Sequence, residues 1–128
     1  KHPNDRRRFA DDRVTKIDGF SSLELLTAAD YVITDYSAIS IEASALEKCV
    51  YLYVYDYDRY YESNGLNIDL CGQLPGCVFG DAEALMDEIG RGDYNYESIR
   101  SFKNKYVINK GDAAGKISGL VFECLALN

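Results

Sequence analysis

The chain is short of positive charge, histidine, proline and long apolar runs, and these shortages remove several classes of function. Its 14 Lys and Arg stand against 21 Asp and Glu, a formal net charge of −7 over 128 residues. Nucleic-acid binding rests on cations that neutralise phosphates, so this surface would on average repel a polyanion, and no nucleic-acid partner is expected. The one basic cluster, Arg6, Arg7 and Arg8 with Arg13, is offset by Asp5, Asp11 and Asp12 and reads as a solvated loop. Its other reading is a patch facing an anionic headgroup or polymer. No apolar run approaches a bilayer span, so a water-soluble domain is expected. Cys49, Cys71, Cys77 and Cys124 have no metal-ligand spacing and read as reduced, buried or partly buried thiols. Asp56 and Asp58 have the spacing of an Asp-x-Asp metal motif but follow a strand, and no metal is expected there. Repeats, low-complexity tracts and interdomain linkers are absent, so residues 1–128 read as one domain.

What is present is alternation. The run from Arg13 to Ile17 is predicted as a short strand, and Ser21 or Ser22 as the cap of a helix over 23–29. A strand follows from Tyr31 to Thr34, then a helix from Ser37 to Glu47 and a strand from Val50 to Tyr55. Asp56 to Tyr61 reads as a short helical turn that Gly65 closes. Residues 66–80 read as a loop around a short strand at Cys77 to Phe79. Asp81 caps a helix over 82–89, a further helix covers 98–106, and a last one runs from Ala113 to Leu127. Strands alternating with helices at this spacing predict βαβ units, an α/β fold with a Rossmann-like parallel sheet flanked by helices. In such a sheet ligands bind at the C-terminal edge of the strands.

That edge carries the most informative segment, Thr34-Asp35-Tyr36-Ser37, where an apolar strand runs through hydroxyls into a helix start. Unpaired amides and the helix dipole favour an anion there. The Ser37 hydroxyl with the Ser37 and Ala38 amides would hold a diphosphate; alternatively Asp35 or Ser37 only caps the helix. Glu42 would reach a ribose, or is a solvated helix residue. His2, the one histidine, is either a general acid and phosphate contact or an exposed terminal residue. Tyr51, Tyr53 and Tyr55 fall on one strand face, packed under a helix with their hydroxyls at the rim; alternatively Tyr55 and Asp56 line a pocket. Asp112, after Lys110 and Gly111, is a helix cap or part of a cleft wall.

His2-Pro3, Ala29-Asp30-Tyr31-Val32-Ile33-Thr34-Asp35-Tyr36-Ser37, the stretch Val50 to Asp58 with Tyr60, and Lys110-Gly111-Asp112 follow one another in a recognisable order. In that order the chain resembles the C-terminal, donor-binding half of the CDP-glycerol:polyglycerol-phosphate glycerophosphotransferases, the teichoic-acid primases and polymerases of bacterial cell walls. The resemblance implies a GT-B-type enzyme of two Rossmann-like domains, with the acceptor half outside these 128 residues and this fragment inactive by itself. It implies a CDP-glycerol or CDP-ribitol donor, no cofactor, a polyol-phosphate polymer or lipid-linked acceptor, and peripheral association with the inner face of the plasma membrane. By position, His2 would contact the pyrophosphate and help CMP leave, Thr34 and Ser37 would hold phosphates, and Glu42 the ribose. A second catalytic histidine would lie on the acceptor half. Three positions depart from the family pattern: Ala38 replaces a second serine, Glu47-Lys48-Cys49 stands where a glycine is frequent, and Gly111-Asp112 inverts an Asp-Gly order. The alternatives are a UDP-sugar glycosyltransferase or epimerase-like domain, which has glycines in place of Tyr36-Ser37, and a binding-only module.

Overall fold

The computed structural model describes residues 11, 13, 14, 17–108 and 111–126. Arg13, Val14 and Ile17 are not in a strand, while Thr15 and Lys16 of the expected strand lie outside the described residues. The first element is α1 (Ser22–Ala28), started by a capping box in which Ser21 and Glu24 each satisfy the other's backbone amide. β1 (Tyr31–Thr34) leads through a tight turn into α2 (Ile39–Ala45), followed by β2 (Cys49–Tyr53) and α3 (Tyr57–Asn64). A one-turn helix, α4 (Leu70–Gln73), precedes β3 (Val78–Phe79), and α5 (Ala82–Arg91), α6 (Tyr96–Tyr106) and α7 (Ala113–Ala126) complete the order.

Among the described residues three strands form a parallel sheet in the order β1-β2-β3, with Tyr31 opposite Cys49, Thr34 opposite Leu52, and Leu52 opposite Val78. With its flanking helices this is the expected Rossmann-like α/β arrangement. β2 is central, and Cys49, Val50, Tyr51 and Leu52 are all buried, as a strand covered on both faces requires. Tyr51 corrects the rim reading: its hydroxyl is buried and makes no hydrogen bond among the described residues, and burial pushes its pKa up to about 12. Tyr53 is half-buried and Tyr55, past the strand end, is exposed. α2 packs on β1, β2 and α6 through Ser40, Ala43 and Ser44. These small residues let α6 approach with Ile99 and Phe102, both buried.

β2 is longer than the strand beside it. Leu52 and Val54 donate to the Cys77 and Phe79 carbonyls, but β3 offers nothing opposite Val50. The Tyr94 hydroxyl fills that place: it accepts from the Val50 amide at 2.9 Å and donates to the Val50 carbonyl at 3.1 Å. Both groups would otherwise be buried and unpaired. Cys49 and Cys77 are buried, Cys77 with its sulfur 3.7 Å from this phenol, Cys71 is half-buried, and these three are free thiols. Cys124 on α7 is exposed, against expectation. So are that helix's large apolar residues Ile117, Leu120, Val121, Phe122 and Leu125.

Two further differences have local causes. α2 begins two residues later than expected and stops at Ala45, because Glu47 adopts the left-handed conformation at φ 52°. That is a glycine's conformation, costing an L side chain about 1–2 kcal/mol. The Glu47 carboxylate is held by Lys103 at 2.8 Å and Arg100 at 3.1 Å, and Lys48 caps α1 by donating to the Thr27 and Ala29 carbonyls. The helix α4 lies within the expected loop: Gly72 and Pro75 mask the signal of its cap, Asp69, which accepts from the Gly72 amide at 3.0 Å.

Tyr94→Phe should lower stability by about 1–3 kcal/mol, the cost of stranding buried backbone groups, read as a lower urea midpoint at unchanged m-value. At position 47, Glu47→Gly should be more stable than Glu47→Ala by about 1 kcal/mol, because both lose the ion pairs and only glycine relieves the backbone. Lys103, then Arg100, hold the Glu47 carboxyl below the ordinary glutamate range. The pairing's contribution is therefore present above that range and lost as pH falls through the lowered value; thermal melts across acid pH should show the loss in the parent chain and not in Glu47→Ala.

Candidate functional site

Parallel pairing brings the ends of β1 and β2 to one edge, so the loops 35–38 and 54–56 are neighbours although about twenty residues separate them in sequence. Thr34 is half-buried at the end of β1, opposite Leu52. Asp35 and Ser37 are exposed, and Tyr36 between them turns inward. Its hydroxyl donates to Asp56 Oδ1 at 3.0 Å, and its ring stacks on Tyr60 with centroids 3.8 Å apart and planes 16° from parallel. Burial, then the hydrogen bond to the Asp56 carboxylate, push the Tyr36 phenol far above the usual tyrosine range, so it stays a donor at any physiological pH.

The cap position of α2 is Ala38, not Ser37, and no side chain caps this helix. Ser37 Oγ lies 3.4 Å from the Ile39 amide, a long contact, while its carbonyl accepts from the Ser40 amide and the Ser40 hydroxyl. The Ser37 and Ala38 amides donate to no group among the described residues. Ser37 thus belongs to a turn of exposed donors rather than to a closed helix cap.

This turn forms one wall of a cleft of about 240 Å³. Ser37, Ala38, Ser40 and Ile41 face the segment from Gly65 to Leu70, with the Tyr36–Tyr60 pair between them. Gly65 ends α3 at φ 67° and ψ 174°, a positive-φ conformation open to glycine, and the chain after it forms the opposite wall. Among the described residues the lining is hydroxyl, amide and apolar, with Asn67 the one side-chain amide and no cationic residue.

The sequence-derived site residues are therefore only partly gathered. Thr34, Asp35, Tyr36, Ser37, Ala38 and Asp56 share the strand edge. Glu42 is exposed and lines a neighbouring groove of about 420 Å³ with Ile41, Ala45, Tyr106, Val107 and Ile108; only Ile41 borders both spaces. Tyr55 is exposed beside Tyr53, with ring centroids 5.4 Å apart. Asp112 folds its carboxylate over the first turn of α7, close to Gly115, which is the behaviour of a helix cap. His2 and Lys110 lie outside the described residues. Among the described residues no group of three or more His, Cys, Asp or Glu could hold a metal ion, and no helix is long and apolar enough to cross a membrane. Tyr60 and the wall 65–70 were missed as site residues. The available signal was the spacing of Asp56 and Tyr60, four apart on a helix and so on one face.

A sequence profile of the family described as CDP-Glycerol:Poly(glycerophosphate) glycerophosphotransferase matches residues 1–123. The chain belongs to this family. The teichoic acid glycerol-phosphate primase of Bacillus subtilis strain 168 is 32% identical over 99 residues, covering 77% of this chain and 26% of that protein. The teichoic acid poly(ribitol-phosphate) polymerase of Bacillus spizizenii W23 is 31% identical over 100 residues, 78% of this chain and 16% of the relative. The teichoic acid glycerol-phosphate transferase of Staphylococcus aureus NCTC 8325 is 27% identical over 120 residues, 88% of this chain and 31% of the relative. The chain thus spans less than a third of the length of each of these relatives. Both polyols occur among their names, so membership of the family leaves the polyol open.

Proposed function

We propose that this chain is the donor-binding part of a polyol-phosphate transferase that draws glycerol phosphate or ribitol phosphate from a CDP-activated donor. The observation that carries the reading is the family match over residues 1–123 together with the open turn at Ser37 and Ala38 on the strand edge. In this reading the pyrophosphate lies against the two free amides and the Ser37 hydroxyl, with Thr34 beside them. The Glu42 carboxylate takes ribose hydroxyls from the neighbouring groove.

Among the described residues that line the cleft none is cationic, so here amides and hydroxyls meet the donor's negative charge. His2 supplies the missing positive charge and protonates or shields the departing CMP. The acceptor hydroxyl attacks the phosphorus that carries the polyol, its proton passing to a base on the acceptor half. A new phosphodiester bond forms as the P–O bond to CMP breaks. Position and charge neutralisation supply the rate enhancement. The acceptor in this scheme is a polyol-phosphate chain or its lipid-linked primer. The enzyme works at the inner face of the membrane, held there from outside the described residues.

Titration with CMP, CDP, CDP-glycerol and UDP, followed through the amide resonances of residues 34–42, tests the reading. Shifts that are largest for the cytidine diphosphates are expected, and Ser37→Ala should weaken CDP-glycerol binding about tenfold, the usual size of a hydrogen bond to a charged group. A preference for UDP would replace this reading by the nucleotide-sugar one.

A further inference from the structure

The Tyr36 contacts do something that neither the family match nor the donor reading assigns. Asp56 is the cap residue of α3, a position where aspartate ordinarily accepts from the helix's own amides, yet its side chain makes no capping bond there. It holds the Tyr36 hydroxyl instead. Tyr60, one helical turn on, lies under the Tyr36 ring, so two residues of one face of α3 grip a single side chain from the other loop. None of the residues of α3 is buried; beyond this grip Tyr57 packs against the core, with its ring 6.4 Å from that of Tyr36 and its side chain in hydrogen-bond contact with Cys71. The helix runs directly into Gly65 and the far wall of the cleft. Tyr36 immediately precedes Ser37, on the near wall.

We infer that Tyr36, Asp56 and Tyr60 form a clamp that fixes α3 and the 65–70 wall at a set distance from the Ser37–Ala38 turn, and so act as positioning residues for the donor. This rests on the donor reading for its consequence, though not for its mechanics. Asp56 gives up the stabilisation of a helix cap and receives in exchange a hydrogen bond from a phenol that remains protonated. The stacked rings resist shear between the two loops, while the hydrogen bond fixes how far the Tyr36 side chain reaches. A donor seated on the turn then meets a wall already in place, and less of its binding energy is spent on ordering α3.

The test uses hydrogen exchange on the ligand-free full-length protein together with CDP-glycerol titration. Tyr36→Phe keeps the stack and removes the hydroxyl, Asp56→Ala removes the acceptor, Asp56→Asn keeps an oxygen that can accept, and Asp56→Ser keeps a capping residue too short to reach the phenol. Tyr36→Phe, Asp56→Ala and Asp56→Ser should each speed exchange across residues 57–68 and weaken CDP-glycerol binding, each by about tenfold. Asp56→Asn should stay within about threefold of the parent, and Tyr36→Phe combined with Asp56→Ala should be no worse than either alone. Rescue by Asp56→Ser would mean that Asp56 acts as a cap, and would overturn the clamp. So would losses that multiply in the double variant. If Tyr36→Phe binds CDP-glycerol as the parent does while Ser37→Ala does not, the positioning role falls and the donor reading stands. If the parent binds no cytidine nucleotide, the donor reading falls, and exchange over 57–68 alone upholds or overturns the clamp.

Discussion

The sheet depends on β2 having its backbone groups paired where no strand is available to pair them. A central parallel strand buried on both faces cannot leave an amide or carbonyl without a partner, because nothing in the interior replaces water. β1 matches β2 from Cys49 to Leu52, whereas β3 supplies only Val78 and Phe79. Tyr94 supplies the rest through one hydroxyl that donates and accepts at the same residue. Burial raises its pKa well above the ordinary tyrosine value, so the donating proton is retained. With Val50 satisfied, β2 stays in register to its end, and that register decides where Asp56 emerges relative to Tyr36.

The site follows from this register with little further specification. β1 and β2 run parallel, so both deliver the chain to the same edge, where the turn after β1 has a tyrosine and the turn after β2 an aspartate within reach of it. Small residues on α2 let α6 sit close behind the sheet, leaving the first turn of α2 and the segment after Gly65 to face each other across open space. The cleft lies between the first turn of α2 and the segment that follows Gly65 at the end of α3. Tyr36 bridges the two loops, stacked on Tyr60, tilted against Tyr57 and hydrogen-bonded to Asp56.

Where local signals agree with the tertiary outcome, the fold was legible. Tyr31 to Thr34 reads as a strand because apolar residues are followed by hydroxyls and a helix start, and it is one; Asp81 and Gly92 bracket α5 as cap and left-handed stop. The start of α2 was misread because serine at 37 is a better cap than alanine at 38, yet the chain places Ala38 at the cap and leaves Ser37 in the turn. Its end was misread because Glu47 carries no warning of a left-handed backbone; the compensating partners, Arg100 and Lys103, are more than fifty residues away. The Tyr36–Asp56 bond was hidden for the same reason. Both residues had been singled out, but a separation of twenty residues is a contact only once the strand register is known.

The cleft's chemistry also constrains how such a domain can serve an anionic donor. The chain is acidic overall, Asp35 is exposed beside the turn, and among the described residues no cation lines the cleft. In the proposed donor reading, a pyrophosphate at this turn would gain from amides and a hydroxyl but meet unfavourable carboxylates nearby. Tyr36 lessens one of these, since a carboxylate that accepts a phenolic hydrogen bond presents a more dispersed charge to its surroundings. In the proposed donor reading, the remaining imbalance would weaken donor binding and leave stabilisation of the developing charge to groups outside this turn.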